Sequence, residues 1–490
     1  MASKSKACLP GSRVALLEQI QLWALNPTGQ RALLLHGAAG KGKSAIVHTV
    51  AIALESLGVA VVPFFAFNRS AKDRSLSQLI PTWAKKLAES NAQYLSYLHT
   101  LPEELESLDV LDLVVKGLAS IDNMMPLIFA IDALDECPAD EADALFRILR
   151  ELLLSSELPP SVRFLFTFRP EKSITSLFSD LPTLSVSIDN IDGTSTDIHT
   201  FVKHQLVRTD LEYMIDDVAK ASQTLFQCAA VLCSELKNAR GPRLTSVRRD
   251  LLRKVREAPG QPLYATYHAI LRIHFDERNA ELMQLFRHVM SWIFLVWSPQ
   301  PRQVLQAFAA VLLSKDEQKD VDEILPYLGS LLSGTMPGDN APITPLHTSL
   351  RDFLLDTNES QAFSIDLGHH SQEEITWACL RIMNTSLEFN ICKLPTSFAL
   401  NSQIEDLPQR VEECIPSGLR YACLATAQHL QSTSQPSTTI NQLLSTAPLL
   451  PVGIACAILV YMSTGLAFLF LGVVLLKFSY HDQKNVSEHS

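Results

Sequence analysis

Charged side chains are scarce in this chain of 490 residues. Asp, Glu, Lys and Arg make up 19% of it, against about 25% in typical globular proteins, and hydrophobic residues make up 47%. This balance excludes a disordered protein, and the 18 glycines and 26 prolines exclude collagen-like repeats. The formal net charge of −11 argues against nucleic-acid binding, so we expect no nucleic-acid partner. Scarce charge in a long chain instead indicates buried helices or a membrane segment.

The nine cysteines lack the spacing of a metal site. Their number is odd, no C-x-x-C pair occurs, and no set of Cys and His has zinc-like spacing. This pattern is typical of free thiols in a reducing compartment. The sequence also lacks a long apolar run after its first lysines, so we do not expect a secretory signal peptide.

The first 190 residues alternate between strand-like and helix-like segments. Five apolar segments have the character of strands: 32–36, 59–67, 126–131, 164–168 and 184–188. Three segments between them have helical periodicity: 43–57, 76–90 and 141–154. This alternation predicts an α/β fold, a parallel sheet with helices on both faces. Helical patterns dominate from residue 194 to residue 429, and no repeat of solenoid length occurs.

The strongest motif follows the first predicted strand. The run Gly37-Ala-Ala-Gly-Lys-Gly-Lys43-Ser44 matches G-x-x-x-x-G-K-[ST], the phosphate-binding loop or P-loop. Glycines let the backbone N–H groups turn towards a phosphate, and the helix that follows adds a partial positive charge. Lys43 is placed to reach the β- and γ-phosphates of a nucleotide, and Ser44 to bind Mg²⁺. The predicted nucleotide-binding residues are Gly37, Ala38, Ala39, Gly40, Lys41, Gly42, Lys43, Ser44 and Ala45.

A second motif is the run Leu127-Ile-Phe-Ala-Ile-Asp132-Ala-Leu-Asp135-Glu136, a hydrophobic strand that ends in carboxylates. In a parallel sheet the ligand lies beyond the C-terminal strand ends, so Asp132 should face the same crevice as the P-loop. We expect Asp132 to hold Mg²⁺ through its outer shell, because this ion keeps several waters. Asp135 or Glu136 would orient or deprotonate an attacking water.

A third motif, Phe164-Leu-Phe-Thr-Phe-Arg169-Pro, is a buried strand that ends in an arginine. Its guanidinium can form charge-assisted hydrogen bonds with a phosphate. We therefore predict that Arg169 contacts the γ-phosphate.

Together these motifs resemble the NACHT-type NTPases of the signal-transducing (STAND) class, which are related to nucleotide-binding immune receptors. The run 132–136 is similar to the family's second motif, and 167–170 to its sensor motif, where Phe168 stands in place of the usual Ser. A third run, Thr224-Leu-Phe226, has Thr224 where the family usually has Gly. The other matching stretches are 8–13 and 389–392, which resemble fungal NLR-like members, and 64–69 and 345–353, which resemble the family as a whole. The resemblance covers roughly residues 8–430.

The resemblance also implies a role for His347. The run Pro345-Leu-His347-Thr-Ser-Leu-Arg-Asp-Phe353 is similar to the family's winged-helix motif, whose histidine contacts the nucleotide phosphate in the closed, inactive state.

Family members usually carry an N-terminal effector domain and a C-terminal repeat sensor. Here the P-loop begins at residue 37, so we expect the switch module alone, from a short or truncated family member, acting with unknown effector and sensor proteins.

A membrane segment is expected near the C-terminus. Residues 452–476 contain no charged residue over 25 positions, enough for a transmembrane helix, and they follow a stretch rich in Ser, Thr, Gln and Asn. We expect a single-pass anchor in the endoplasmic reticulum or a later membrane, with the nucleotide domain facing the cytosol. Asn485-Val-Ser487 is a glycosylation acceptor that would report a lumenal tail.

The expected organisation has eight parts. They are a lead-in (1–29), a NACHT P-loop domain (30–190), a helical domain (191–280), a winged-helix domain (281–356), a helical segment (357–430), a polar linker (431–450), a transmembrane helix (451–476) and a short tail (477–490).

The resemblance implies a slow nucleotide switch in nonself recognition or cell death, in which ADP holds the closed state and ATP with Mg²⁺ allows self-association. GTP remains an alternative to ATP. Two other functions stay open, a continuously cycling membrane ATPase and a non-catalytic nucleotide-binding scaffold or decoy.

Overall fold

The computed structural model describes most of the chain. The described residues are 2–26, 28–69, 74–101, 112–121, 125–189, 191–238, 244–257, 261–388, 390–394, 404–433, 437, 438, 440 and 442. The predicted transmembrane helix, the tail, most of the linker and Phe389 lie outside them. Within the described ranges, no helix is both long enough and apolar enough to cross a membrane. The chain forms two compact units, Met1–Ile273 with Leu346–Phe353, and His274–Pro345 with Leu354–Ser490.

In the part of the first unit that the structure describes, five strands form one sheet, and every neighbouring pair is parallel. The strands are β1 Ala32–His36, β2 Phe64–Ala66, β3 Leu127–Asp132, β4 Val162–Phe168 and β5 Thr183–Ser187. Their order in the sheet is β2-β3-β4-β1-β5, so β1 lies between β4 and β5. The prediction of a parallel α/β sheet is confirmed.

Twelve α-helices lie in the described residues up to His274. They are α1 Val14–Leu25, α2 Lys43–Ser56, α3 Leu76–Ser90, α4 Ala92–Leu98, α5 Gly117–Ala119, α6 Ala142–Leu154, α7 Lys172–Leu177, α8 Thr194–Leu206, α9 Ile215–Ala221, α10 Phe226–Asn238, α11 Leu244–Glu257 and α12 Pro262–His274. A single-turn helix, Leu134–Glu136, follows β3 directly. The segment 349–353, the first part of α16 Ser349–Leu355, also belongs to the first unit.

The sheet has a hydrophobic core on each face, because alternate strand residues point to opposite sides. Leu33 and Leu35 of β1 belong to the core that includes α1 and α2 residues, whereas Leu34 belongs to the core on the other face. That second core includes Trp83 of α3 and Leu149 of α6. Helices therefore cover both faces, and the strands are apolar on both sides because both sides are buried.

The second predicted strand is shorter than expected. We predicted residues 59–67, but β2 covers only Phe64–Ala66, preceded by an isolated bridge between Val61 and Leu127. Pro63 lies between the bridge and the strand. It accepts a hydrogen bond from Ala130 through its carbonyl but has no N–H to donate, which interrupts the ladder.

The second unit is mostly helical. Its helices are α13 Ala280–Leu295, α14 Arg302–Leu312, α15 Lys315–Ile324, α17 Thr357–Ser360, α18 His369–Ser386, α19 Leu407–Cys414 and α20 Ser417–Ser432. A short antiparallel pair, β6 Leu332–Ser333 and β7 Thr344–Pro345, follows α15. The domain limits given above, including those of the winged-helix domain, stay predictions.

Candidate functional site

The P-loop lies between β1 and α2 in a conformation that requires glycine. Gly40 and Gly42 have φ of +77° and +93°, in the left-handed region that side chains with a Cβ rarely adopt. A Cβ on Gly40 would also lie 3.0 Å from Cβ of Gln227, and the Gln227 N–H donates a 3.1 Å hydrogen bond to the Gly40 carbonyl. Because α2 begins at Lys43, the first backbone N–H groups of this helix face the loop, where an anion can bind them.

Two lysines of the loop have different partners. Lys43 donates to the carbonyls of Gly37 (2.6 Å) and Ala38 (3.0 Å). Burial lowers the pKa of Lys43, which Asp135 partly offsets, and Arg169 lowers it further. Lys41 is buried and donates to the Asp189 carbonyl (3.1 Å) and the Thr224 hydroxyl (2.7 Å). Lys41 therefore holds the loop in place, whereas Lys43 lies close to the charged groups at the ends of β3 and β4.

Asp189 is a residue of the candidate site that the sequence analysis missed. It follows β5, and its Oδ1 accepts a 2.8 Å hydrogen bond from the Ala38 N–H of the P-loop. A Cβ on Gly37 would lie 3.0 Å from the same oxygen. Its position after a strand end of the sheet is the only sequence signal that could have found it.

Asp132 ends β3 and is buried. The buried Thr167 hydroxyl of β4 donates a 2.5 Å hydrogen bond to Oδ1 of Asp132, and accepts one of 2.8 Å from the Ala133 N–H. Ala133 has φ of +56°, a left-handed turn that brings the single-turn helix Leu134–Glu136 back over the strand end. Asp132, Asp135 and Glu136 are thus held at one edge of the sheet, as predicted for the carboxyl ends of parallel strands.

The Arg169 guanidinium lies among carboxylates. Its Nε is 3.3 Å from Oδ2 of Asp135, its Nη1 forms an ion pair with Asp352, and its Nη2 lies 4.0 Å from Oε1 of Glu136. The Thr348 hydroxyl accepts a 3.3 Å hydrogen bond from Nη2. Burial alone would lower the pKa of Arg169, but Asp352 and the other carboxylates raise it above its ordinary value. Arg169 is therefore fully charged in this arrangement.

Glu136 is a carboxyl group with a shifted titration. Burial raises its pKa to about 7, and the nearby Asp135 adds to the effect. The Thr348 side chain, the charge of Arg169 and a hydrogen bond from the Arg69 N–H lower this pKa. A carboxyl group with a pKa near neutrality is suited to accept a proton from water.

His347 lies with these groups in the segment Leu346–Phe353 of the first unit. Its Nδ1 accepts a 3.1 Å hydrogen bond from the Ser349 N–H and lies 2.6 Å from the Ser349 hydroxyl, which also pairs with the Tyr267 hydroxyl. Burial and the charges of Arg169 and Lys43 lower the pKa of His347 to about 4, so the ring is neutral. Because Nδ1 accepts the backbone N–H, the ring proton lies on Nε2, which can donate to an anion.

Thr348 and Asp352 lie in the motif 345–353, but the sequence predicted no role for either. The structure brings both onto Arg169, 179 and 183 residues away along the chain. No pattern of residue spacing reports a contact of that separation.

The donors at the strand ends fit Mg²⁺ bound with water and phosphate. Within the described part of the chain, no cluster of three or more His, Cys, Asp or Glu side chains could hold a metal ion by itself. Mg²⁺ is commonly held by one or two carboxylates together with substrate phosphates and waters. The Asp132 carboxylate and the Ser44 hydroxyl, at the start of α2, are oxygen donors of this kind.

The parallel sheet, the glycine-dependent loop after β1 and the acidic end of β3 define a P-loop NTPase-like domain. Residues 12–169 match the family model described as Nephrocystin 3, N-terminal. The match runs from Ser12 to Arg169 and covers about a third of the chain. No curated protein matches the chain.

Three solved structures illustrate a distant likeness. Cdc6p from Pyrobaculum aerophilum is 13% identical at a TM-score of 0.34, over 73% of this chain and 87% of that one. A Walker-type ATPase of Pyrococcus abyssi is 13% identical at a TM-score of 0.35, over 70% of this chain and 95% of that one. Drosophila ORC bound to DNA is 11% identical at a TM-score of 0.31, over 66% of this chain and 75% of that one. At these TM-scores the likeness carries no argument about function.

Proposed function

We propose that this chain is a nucleotide switch that binds ATP or ADP with Mg²⁺ and hydrolyses ATP slowly. The observation that carries the proposal is that the segment Leu346–Phe353 interacts with both Arg169 and Glu136, the two groups proposed to act in hydrolysis. The Thr348 hydroxyl accepts a hydrogen bond from Arg169, the Thr348 side chain also lowers the pKa of Glu136, and Asp352 forms an ion pair with Arg169. An enzyme that cycles continuously needs these groups available to its substrate, whereas a switch gains from occupying them.

Each residue has a role in this proposal. The N–H groups at the start of α2 and the Lys43 amine bind the phosphates, and Ser44 and Asp132 hold Mg²⁺. Bound Mg²⁺ would neutralise charge on the phosphate oxygens. Glu136 accepts a proton from the attacking water, Asp135 orients Arg169, and Arg169 contacts the γ-phosphate. The Nε2 proton of His347 is directed to a phosphate in the ADP-bound state.

The resemblance to NACHT-type proteins supports a signalling role for the switch, in nonself recognition or cell death of the fungal NLR-like kind. Exchange of ADP for ATP would then be followed by self-association. Size-exclusion chromatography with light scattering tests this step. A larger assembly with a non-hydrolysable ATP analogue than with ADP is expected, and equal masses in both would contradict it.

The nucleotide content of the purified protein tests the switch directly. We expect close to one ADP per wild-type chain, measured by chromatography of the released nucleotide, and its loss in Lys43→Ala. Lys85→Ala, which removes an exposed lysine on α3, is the matched control and should keep the nucleotide. An empty wild-type protein would contradict a locked ADP state. Rapid hydrolysis would then favour a continuously cycling ATPase, and binding without hydrolysis a scaffold.

Membrane attachment through residues 451–476 is a separate proposal, supported by their apolar composition. Full-length protein should stay with membranes through alkaline carbonate extraction, and a variant lacking residues 451–476 should be released. Release of both forms would contradict the proposal.

A further inference from the structure

Arg69 is an arginine of the site that has no role so far. It lies three residues after β2, and its side chain donates a hydrogen bond to the Asp135 carbonyl. Its Nη1 lies 3.9 Å from Oδ1 of Asp352, and its Nη2 lies 3.7 Å from Oε1 of Glu171. About a third of the Arg69 side chain is exposed, so a ligand in the crevice can reach it.

Asp352 lies between two arginines. One carboxylate oxygen, Oδ2, pairs with Arg169, and the other, Oδ1, faces Arg69. Two guanidinium groups around one carboxylate make an anion site, because each guanidinium presents several N–H donors in a plane. The site holds an anion that belongs to the protein itself.

The carboxylates around this anion site are at least as numerous as the cations. The cations are Lys43, Arg69, Arg169 and Arg351, and the carboxylates are Asp132, Asp135, Glu136, Glu171 and Asp352. A γ-phosphate brings further negative charge into this partly buried cluster. Since like charges in such surroundings repel strongly, the phosphate binds best when one carboxylate leaves.

We infer that Asp352 occupies the place of the γ-phosphate between Arg69 and Arg169, and that ATP, but not ADP, must displace it. The inference rests on the proposed nucleotide site and assigns Arg69 as a second arginine for the γ-phosphate. Asp352 thereby sets the preference between the two nucleotides. ADP has no γ-phosphate, so it binds while the Asp352 carboxylate stays in place.

The ratio of ATP to ADP affinity tests this inference. Isothermal titration of nucleotide-free full-length protein, with Mg²⁺ present, would use ADP and a non-hydrolysable ATP analogue. Asp352→Asn keeps the shape and removes the charge, so affinity for the analogue should rise roughly tenfold or more while ADP affinity changes less than about twofold. Arg69→Gln should lower affinity for the analogue and leave ADP affinity unchanged.

Glu171→Gln is the matched control, because it removes a carboxylate that also faces Arg69 but forms no ion pair with Arg169 among the described contacts. It should alter neither affinity. An equal rise for both nucleotides in Asp352→Asn, or an Arg69→Gln variant that binds the analogue like wild type, would overturn the inference. Failure of wild-type protein to bind either nucleotide would instead reject the proposed function. Retained ADP binding shows that each variant is folded.

Discussion

The Thr167 hydroxyl joins the ends of two neighbouring strands by donating to the Asp132 carboxylate and accepting from the Ala133 N–H. The first bond fixes the carboxylate proposed to hold Mg²⁺. The second supports the left-handed turn at Ala133, from which Asp135 and Glu136 follow. One side chain on β4 therefore determines the geometry of three acidic residues that follow β3.

Thr167→Val should loosen this strand end. Valine has nearly the same shape but leaves the partly buried Ala133 N–H without its acceptor, which costs about 1–3 kcal/mol. The free energy of opening of β3 and β4, measured by hydrogen exchange, should fall by that amount, and the Mg²⁺ concentration needed for tight ATP binding should rise. Thr167→Ser keeps the hydroxyl and is the control. Equal effects of Val and Ser would mean that packing, not hydrogen bonding, holds the strand ends.

Glu136→Gln should separate binding from hydrolysis. An amide cannot take a proton from water, so the single-turnover hydrolysis rate should fall by about 100-fold to 10,000-fold, with ATP still bound. Glu157→Gln, at an exposed position, should hydrolyse ATP at the wild-type rate. Unchanged hydrolysis in Glu136→Gln would assign the role to another group, with Asp135 the nearest.

Hydrolysis should depend on pH through Glu136. Its pKa is raised to about 7, so the carboxylate that accepts the proton is lost as pH falls below neutrality and fully formed above about pH 8. The single-turnover rate should rise from pH 6 to pH 8 and then level off. Thr348→Val removes the hydroxyl of a side chain that lowers this pKa, so its profile should shift to higher pH. A wild-type rate that is flat from pH 6 to pH 8 would contradict this assignment.

Gly40→Ala should weaken nucleotide binding, with Gly193→Ala as the matched control. Both glycines have left-handed φ, +77° and +80°, so both alanines cost roughly 1–2 kcal/mol in backbone strain. Only at Gly40 does the new Cβ meet a neighbour, Gln227, whereas nothing lies within 4 Å at Gly193. ADP affinity should drop about tenfold or more in Gly40→Ala alone. A similar drop in both variants would make strain, not the contact with Gln227, the cause.

The sequence predicted the sheet well because its signals are local. A buried strand in a parallel sheet is a short apolar run, and β1 and α3 begin and end at the predicted residues. The P-loop motif lies between β1 and the start of α2, as predicted, and its binding of phosphate stays a prediction. The prediction of a strand over 59–67 was too long, because Pro63 continues the apolar pattern but has no N–H to donate to the sheet.

The sequence predicted the members of the site less well, since their contacts are distant along the chain. Arg169 was identified by its position after a strand, but its pairing with Asp352 spans 183 residues. Asp189 bonds to Ala38 across 151 residues. Neither pairing leaves a periodic or compositional trace, and only the fold brings these residues together.

The segment Leu346–Phe353 also affects when the site is completed during synthesis. It packs with residues 1–273 but leaves the ribosome after them, because Phe353 lies 80 residues beyond Ile273. At about 5–20 residues per second this interval lasts roughly 4–16 seconds. During that time a folded sheet presents Arg169 and Glu136 without Asp352 and Thr348. On the inference above, ATP can reach the nascent site before the carboxylate proposed to compete with its γ-phosphate has been made.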